Sequence, residues 1–368
     1  MNGHATSQFD KLQAAFQRNF DESGEIGARV CVIQGDEIVV DLWDGFEDEA
    51  KIQPWHENTL VCCMSVTKGV VALCAHLLHS RGLIDYDAPL ARYWPEFAAN
   101  GKADITVRQA MSHQASLAII DDAEPGDTFD WDKFVGKIAN QSPNWDVATN
   151  ETYHSVTIGY ITGELVRRVD GRDISTFIRE ELTDPLDADY ILGCSDEDMK
   201  RVVPGIPNPD NELMNGGLVN EKTAQMYVPL GVEIGSDDFL KSVFPSGGGV
   251  SHAEGLARLF APLANGGSWS GKDFFEPDTL KLMVEEQWFH DDYLFGNDFR
   301  VALGLLLHTK FNHWGRDGNI GTAGGGGYGV FADPENKISF AYTPNRFTSG
   351  YGLGNEFNAL VDAMYECL

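Results

Sequence analysis

Ser65-Val66-Thr67-Lys68 opens the most apolar helical stretch of the chain, and its two end residues can do acyl chemistry together. A three-residue step on a helix sets the lysine amine one turn above the serine hydroxyl, on the same face. The positive end of the helix dipole disfavours a second positive charge there, and partial burial lowers a lysine pKa further. A neutral Lys68 would accept the Ser65 proton and make the hydroxyl a nucleophile without a histidine. The same spacing also arises by chance in a chain with this many serines and lysines, so the tetrapeptide alone leaves a plain helix start open. Of all the serines, however, only Ser65 has lysine at the third position after it.

Tyr153-His154-Ser155 is the second candidate, since Tyr153 is the only tyrosine followed two residues later by serine or asparagine. A phenol titrates near ~10 and acts as a base only where a cation such as Lys68 stabilises its phenolate. A buried tyrosine bonded at a helix start is the plain alternative. The third candidate is Gly321-Thr322-Ala323-Gly324-Gly325-Gly326-Gly327, directly ahead of a strand. Glycines let the backbone approach a substrate and leave N–H groups free to face it. Gly324 to Gly329 also fits G-x-G-x-x-G, but a strand and turn follow where a dinucleotide site needs a helix. His113 and His154 read as structural, and Asp121-Asp122 and Asp237-Asp238 as solvated loop charges. The chain has no H-E-x-x-H and no G-x-S-x-G, which argues against zinc peptidases and α/β-hydrolases.

Several elements must position these residues. Ser7 to Asn19 has the period of an amphipathic helix, and Ala28 to Gln34 and Ile38 to Trp43 read as strands joined at Gly35-Asp36. Val66 to Arg81 is the strongest helix, closed by Gly82. From Asp85 to about Phe244 helices and loops dominate, including Val107 to Ser112, Val156 to Val169 and Asp173 to Leu182. Ser251-x-x-Glu254 predicts a capping box for a helix through Leu263. Strands return at Arg300 to His308, Tyr328 to Ala332 and Lys337 to Thr343, before a last helix from about Asn355 to Tyr365. The expectation is an α+β protein with an antiparallel sheet flanked by helices, built from residues 1–84 and 245–368. Residues 85–244 would form an inserted helical domain, with the substrate cleft between the two.

Composition narrows the partners. Against 27 basic residues stand 56 acidic ones, a formal net charge of −29, which repels nucleic-acid backbones and anionic membranes. No apolar run approaches the ~18 residues of a membrane span, and Met1 to Phe20 does not look like a signal peptide. Cys31, Cys62, Cys63, Cys74, Cys194 and Cys367 lack metal spacing and are expected to be reduced thiols in the cytoplasm. The partner expected is a small-molecule acyl substrate, with neither nucleic acid nor membrane, and a homo-oligomer remains open. No metal and no organic cofactor is called for.

In this order the three candidates resemble the β-lactamase and penicillin-binding-protein superfamily of serine hydrolases, most closely its class C-like family VIII carboxylesterases. The resemblance covers most of the chain. It includes Val39 to Gly45, Ser65-Val66-Thr67-Lys68-Gly69 as the S-x-x-K motif, Leu83 to Pro89, Tyr93 to Phe97, and Ile105 to His113. It continues through Tyr153-His154-Ser155 as Y-x-S, Gly163 to Arg168, Gly326 to Pro334 and Ala341 to Asn345. The resemblance implies the β-lactamase/transpeptidase-like fold and an acyl-enzyme on Ser65. Lys68 and Tyr153 would shuttle the proton, and the Ser65 and Gly325 N–H groups would form the oxyanion hole. Thr322, Ala323, Gly324 and Ser155 would contact substrate.

Two departures shape the expected substrate. Where relatives carry K-T-G or H-x-G, this chain has Thr322-Ala323-Gly324, and Thr322 cannot pair with a carboxylate. That favours small or medium neutral esters over β-lactams and D-amino-acid peptides. Gln114-Ala115-Ser116 also replaces the usual T-S-G or T-A-G and implies a reshaped loop. The alternatives on the same site are β-lactamase, D-amino-acid amidase or peptidase, and acyltransferase. A silent binding or scaffold protein is the alternative of another class.

Overall fold

Both faces of the central strands are apolar, so this sheet must be covered on both sides. A computed structural model describes residues 1–217 and 220–368 of the chain. Among the described residues, nine antiparallel strands form one sheet. Their order is Asn2–Ala5, Glu37–Gly45, Gly27–Gln34, Ile338–Pro344, Tyr328–Asp333, Ile320–Gly324, Leu306–Leu307, Asp298–Val301 and Trp288–Asp291. Side chains alternate across each strand. Val30, Val32, Phe340 and Tyr342 pack with the helices Asp10–Glu22 and Gly354–Tyr365. Cys31, Ile33, Val330 and Ala341 face the helices Val66–Ser80 and Ala253–Ala264. That second core continues without a break through Phe134, Tyr160 and Phe177, so the middle of the chain shares it with the ends.

The Arg29 side chain is fully buried beneath the sheet. Its guanidinium donates to both Asp41 oxygens at 2.7 Å, to Glu254 at 2.7 Å and to the Glu57 carbonyl. It thereby ties the helix Ala253–Ala264 to two strands. This pairing also overturns the expected capping box. Glu254 turns to Arg29 and Arg258, while Ser251 donates to the Asp189 carbonyl at 2.6 Å. The cap is His252 instead, whose Nδ1 accepts from the Gly255 N–H.

Arg300 to His308 is likewise two strands, not one. The backbone reverses after Val301, and Gly304 takes φ +69°. A Cβ on Gly304 would lie 2.5 Å from that of Ala72, so the turn presses on the Ser65 helix. The glycine-rich stretch Gly321 to Gly327 begins within the strand Ile320–Gly324, and only 325–327 form the turn. The sequence reading also missed the edge strand Asn2–Ala5 and the helix Trp131–Asn140, capped by Asp130. A four-stranded sheet of short strands, Leu60–Cys62, Tyr190–Leu192, Val202–Val203 and Gly249–Ser251, was missed too.

Candidate active site

The strand Leu60–Cys62 hands over to the helix Val66–Ser80 through Cys63 and Met64. Met64 sits in the left-handed region at φ 49°, an uncommon conformation for a residue with a side chain. Thr67 holds the elbow: its hydroxyl donates to the Met64 carbonyl at 2.7 Å and accepts from the Gly249 N–H at 3.0 Å. Ser65 follows at the helix N-cap, where its hydroxyl caps no backbone group and is left for other partners.

Those partners are Lys68 and Tyr153. The Lys68 ammonium nitrogen lies 3.0 Å from Ser65 Oγ and 2.6 Å from the Ser246 carbonyl, and the side chain is buried. No carboxylate pairs with it among the described residues, and burial lowers its pKa from 10.5 to about 7. The Tyr153 phenol approaches the Ser65 hydroxyl, and burial pushes its pKa well above the ordinary phenol range. Its ring is stacked between His113, at 4.7 Å, and Phe299, at 5.2 Å, with Lys68 Nζ 5.0 Å from its centroid. Burial favours the uncharged form of both groups, the amine of Lys68 and the protonated phenol of Tyr153.

Asp292 and two histidines fix Tyr153 in place. One Asp292 oxygen accepts the Tyr153 N–H and the other the Thr152 hydroxyl, each at 2.5 Å. His113 Nδ1 accepts the His154 N–H at 2.9 Å, and His154 Nε2 accepts the Leu117 N–H at 2.9 Å. Burial keeps both rings neutral, His154 falling to about 4.

Ser65, Lys68, Tyr153, Ser155, Ala323, Gly324 and Gly325 all line one cleft of roughly 890 Å³, measured out to its mouth. The Ser155 and Tyr227 hydroxyls pair at 2.8 Å on its wall. Gly324 runs against the elbow, where a Cβ would lie 2.3 Å from the Cys63 carbonyl. Neither the Ser65 nor the Gly325 N–H has a hydrogen-bond partner among the described residues. Thr322 does not reach the cleft. Its buried side chain packs on Gly69, with Oγ1 3.5 Å from the Ser65 carbonyl, because alternate strand residues face opposite sides.

Met64, Tyr227, Ser246 and Asp292 were not found from the sequence. Each acts through a backbone conformation or a long-range contact, and only the acidic pair Asp291-Asp292 carries a local signal. Among the described residues no cluster of three or more histidine, cysteine or acidic side chains could hold a metal, and no helix is long and apolar enough to cross a membrane.

The Beta-lactamase family model matches residues 12–363. The esterase/beta-lactamase LipL of Mycobacterium tuberculosis is 32% identical over 364 residues, 94% of this chain and 83% of that protein. The crystal structure of a family VIII carboxylesterase superposes with a TM-score of 0.91 at 32% identity, covering 100% of this chain and 99% of the other. A penicillin-binding-protein homolog from Caulobacter crescentus gives the same score, identity and coverage. The fold is thus β-lactamase/transpeptidase-like, an antiparallel sheet with flanking helices.

Proposed function

The chain belongs to the beta-lactamase family, and from that premise we propose that it is a serine hydrolase cleaving small or medium uncharged esters. One observation carries the reading: a buried lysine without a counter-charge stands 3.0 Å from a serine hydroxyl that caps nothing. Neutral Lys68 takes the Ser65 proton as Oγ attacks the ester carbonyl. The developing oxyanion is received by the free N–H groups of Ser65 and Gly325, whose donors at such a position are worth about 3–4 kcal/mol of barrier. As the tetrahedral centre collapses, Lys68 returns the proton through the Tyr153 phenol to the departing alkoxide. Water then enters the same position, gives its proton along the same path, and releases the acid and Ser65.

The cleft supports the substrate class. Its walls are apolar, with Val156, Leu230, Phe239 and Phe244 on the helical side and Phe299, Leu306 and Phe311 on the sheet side. Lys68 is the single cation among the described lining residues, and the proton relay occupies it. A substrate carboxylate would be desolvated there without a partner. The test compares wild type with Ser65→Ala on p-nitrophenyl esters from acetate to octanoate, beside a chromogenic cephalosporin. Wild type is expected to turn over the shorter esters, disfavour the cephalosporin and show an acyl adduct on Ser65 by mass spectrometry. Equal activity of the two proteins would remove Ser65 as nucleophile, and equal inactivity would favour acyl transfer or a silent scaffold.

A further inference from the structure

Among the described residues of the cleft wall, one buried polar side chain has no hydrogen-bond partner at all. Lys68 donates to Ser65 beside the Tyr153 phenol, Ser155 pairs with Tyr227, and the Asn297 amide oxygen accepts the Tyr351 hydroxyl at 2.6 Å. Asn312 also lines the cleft, is fully buried, and has no hydrogen-bond partner at either its Oδ1 or its Nδ2. Its backbone is used up within its own loop. The N–H donates to the Thr309 hydroxyl, and the carbonyl accepts the Thr309 and Trp314 N–H groups. The side-chain amide of this cleft-lining residue is therefore left without a partner in the protein.

A buried amide with neither donor nor acceptor satisfied is rare in folded proteins, and its desolvation is uncompensated. A lone water is a poor remedy, because a buried water needs two to four polar partners. The surrounding wall of Phe299, Leu306, Phe311 and Leu353 supplies no polar side chain. We propose that Asn312 is a specificity-determining residue, a subsite for an uncharged hydrogen-bonding group, hydroxyl or carboxamide, on the ester arm that enters the sheet-side half of the cleft. An amide presents one acceptor and two N–H donors, so it pairs with groups that both give and accept. A charged group would lack a counter-charge there. The inference rests on the esterase reading and narrows its substrate to esters with such a group away from the reacting carbonyl.

The test reads kcat/KM on two matched pairs. One pair varies the acyl arm, p-nitrophenyl hexanoate against 6-hydroxyhexanoate. The other varies the alcohol arm, hexyl acetate against 6-hydroxyhexyl acetate. In wild type the hydroxyl is expected to be accepted without loss in one arm. In Asn312→Leu, of similar volume, the hydroxy-to-methyl ratio in that arm should fall about tenfold to a hundredfold, the range for stranding one buried hydrogen-bonding group. The wild-type ratios stand alone should the variant fold poorly. A hydroxyl that costs tenfold or more in both arms of the wild type overturns the subsite. So does a ratio unchanged between wild type and Asn312→Leu, which would mean an ordered water only. Inactivity of wild type on all four esters overturns the esterase reading itself, and the subsite with it.

Discussion

Lys68 permits the most exacting test, because its basicity comes from burial alone. An ordinary lysine at 10.5 is neutral in roughly one molecule in three thousand at pH 7, whereas one at about 7 is neutral in half. Burial thus raises the population of competent base by about three powers of ten. The kcat/KM for p-nitrophenyl butyrate should climb with pH through about 7 and level off above it. Lys68→Arg keeps a cation that cannot release its proton and should lose at least about a thousandfold in kcat/KM. Stability carries the same signature, with a definite sign. The folded pKa lies below the unfolded one, so between about 7 and 10.5 the unfolded chain holds a proton that the native state has released. Stability should therefore rise with pH across that window, by up to about 1.4 kcal/mol per pH unit, and Lys68→Met should abolish that part of the slope. A rate profile flat from pH 5 to 9, or rising only near pH 10, would refute the reasoning, as would an active Lys68→Arg enzyme.

Two further outcomes test the framework. A Cβ at Gly69 would lie 2.6 Å from Thr322 Cγ2, so Gly69→Ala should cost about 1–3 kcal/mol in chemical denaturation and lower kcat, and Thr322→Gly in the same chain should recover much of both. Arg29→Met strands Asp41 beneath the sheet, leaves Glu254 with Arg258 alone, and should cost about 3–5 kcal/mol, whereas Arg29→Met with Asp41→Leu should recover most of it.

What the sequence made legible was local. Ser65 and Lys68 are three residues apart on one helix, and a helix converts that spacing directly into a 3.0 Å contact. The hairpin at Gly35-Asp36 and the helix closed by Gly82 are equally local, both glycines adopting positive φ. Legibility failed where a long-range partner outbid a local motif. Glu254 had the spacing for a capping box, but a buried guanidinium 225 positions away in sequence claims its carboxylate. Thr322 had the neighbourhood of a substrate contact, but strand parity turns it toward Gly69. Asn312 has no motif at all, and its interest lies wholly in the partners it lacks.

The same distinction explains how so acidic a chain can hold a neutral lysine. A single carboxylate against Lys68 would favour the ammonium and silence the base. The acidic excess lies elsewhere, and the buried carboxylate packed against the Tyr153 loop, Asp292, is fully engaged. Its two oxygens accept from the Thr152 hydroxyl and from the Tyr153, Leu294 and Phe295 N–H groups. Burial is the largest cause at both groups, raising Tyr153 and lowering Lys68, and the Asp292 charge adds a smaller upward push at Tyr153. Asp292 thus holds the Tyr153 backbone and adds to burial in disfavouring a phenolate. On the proposed mechanism this leaves the amine to act as base and the phenol as acid.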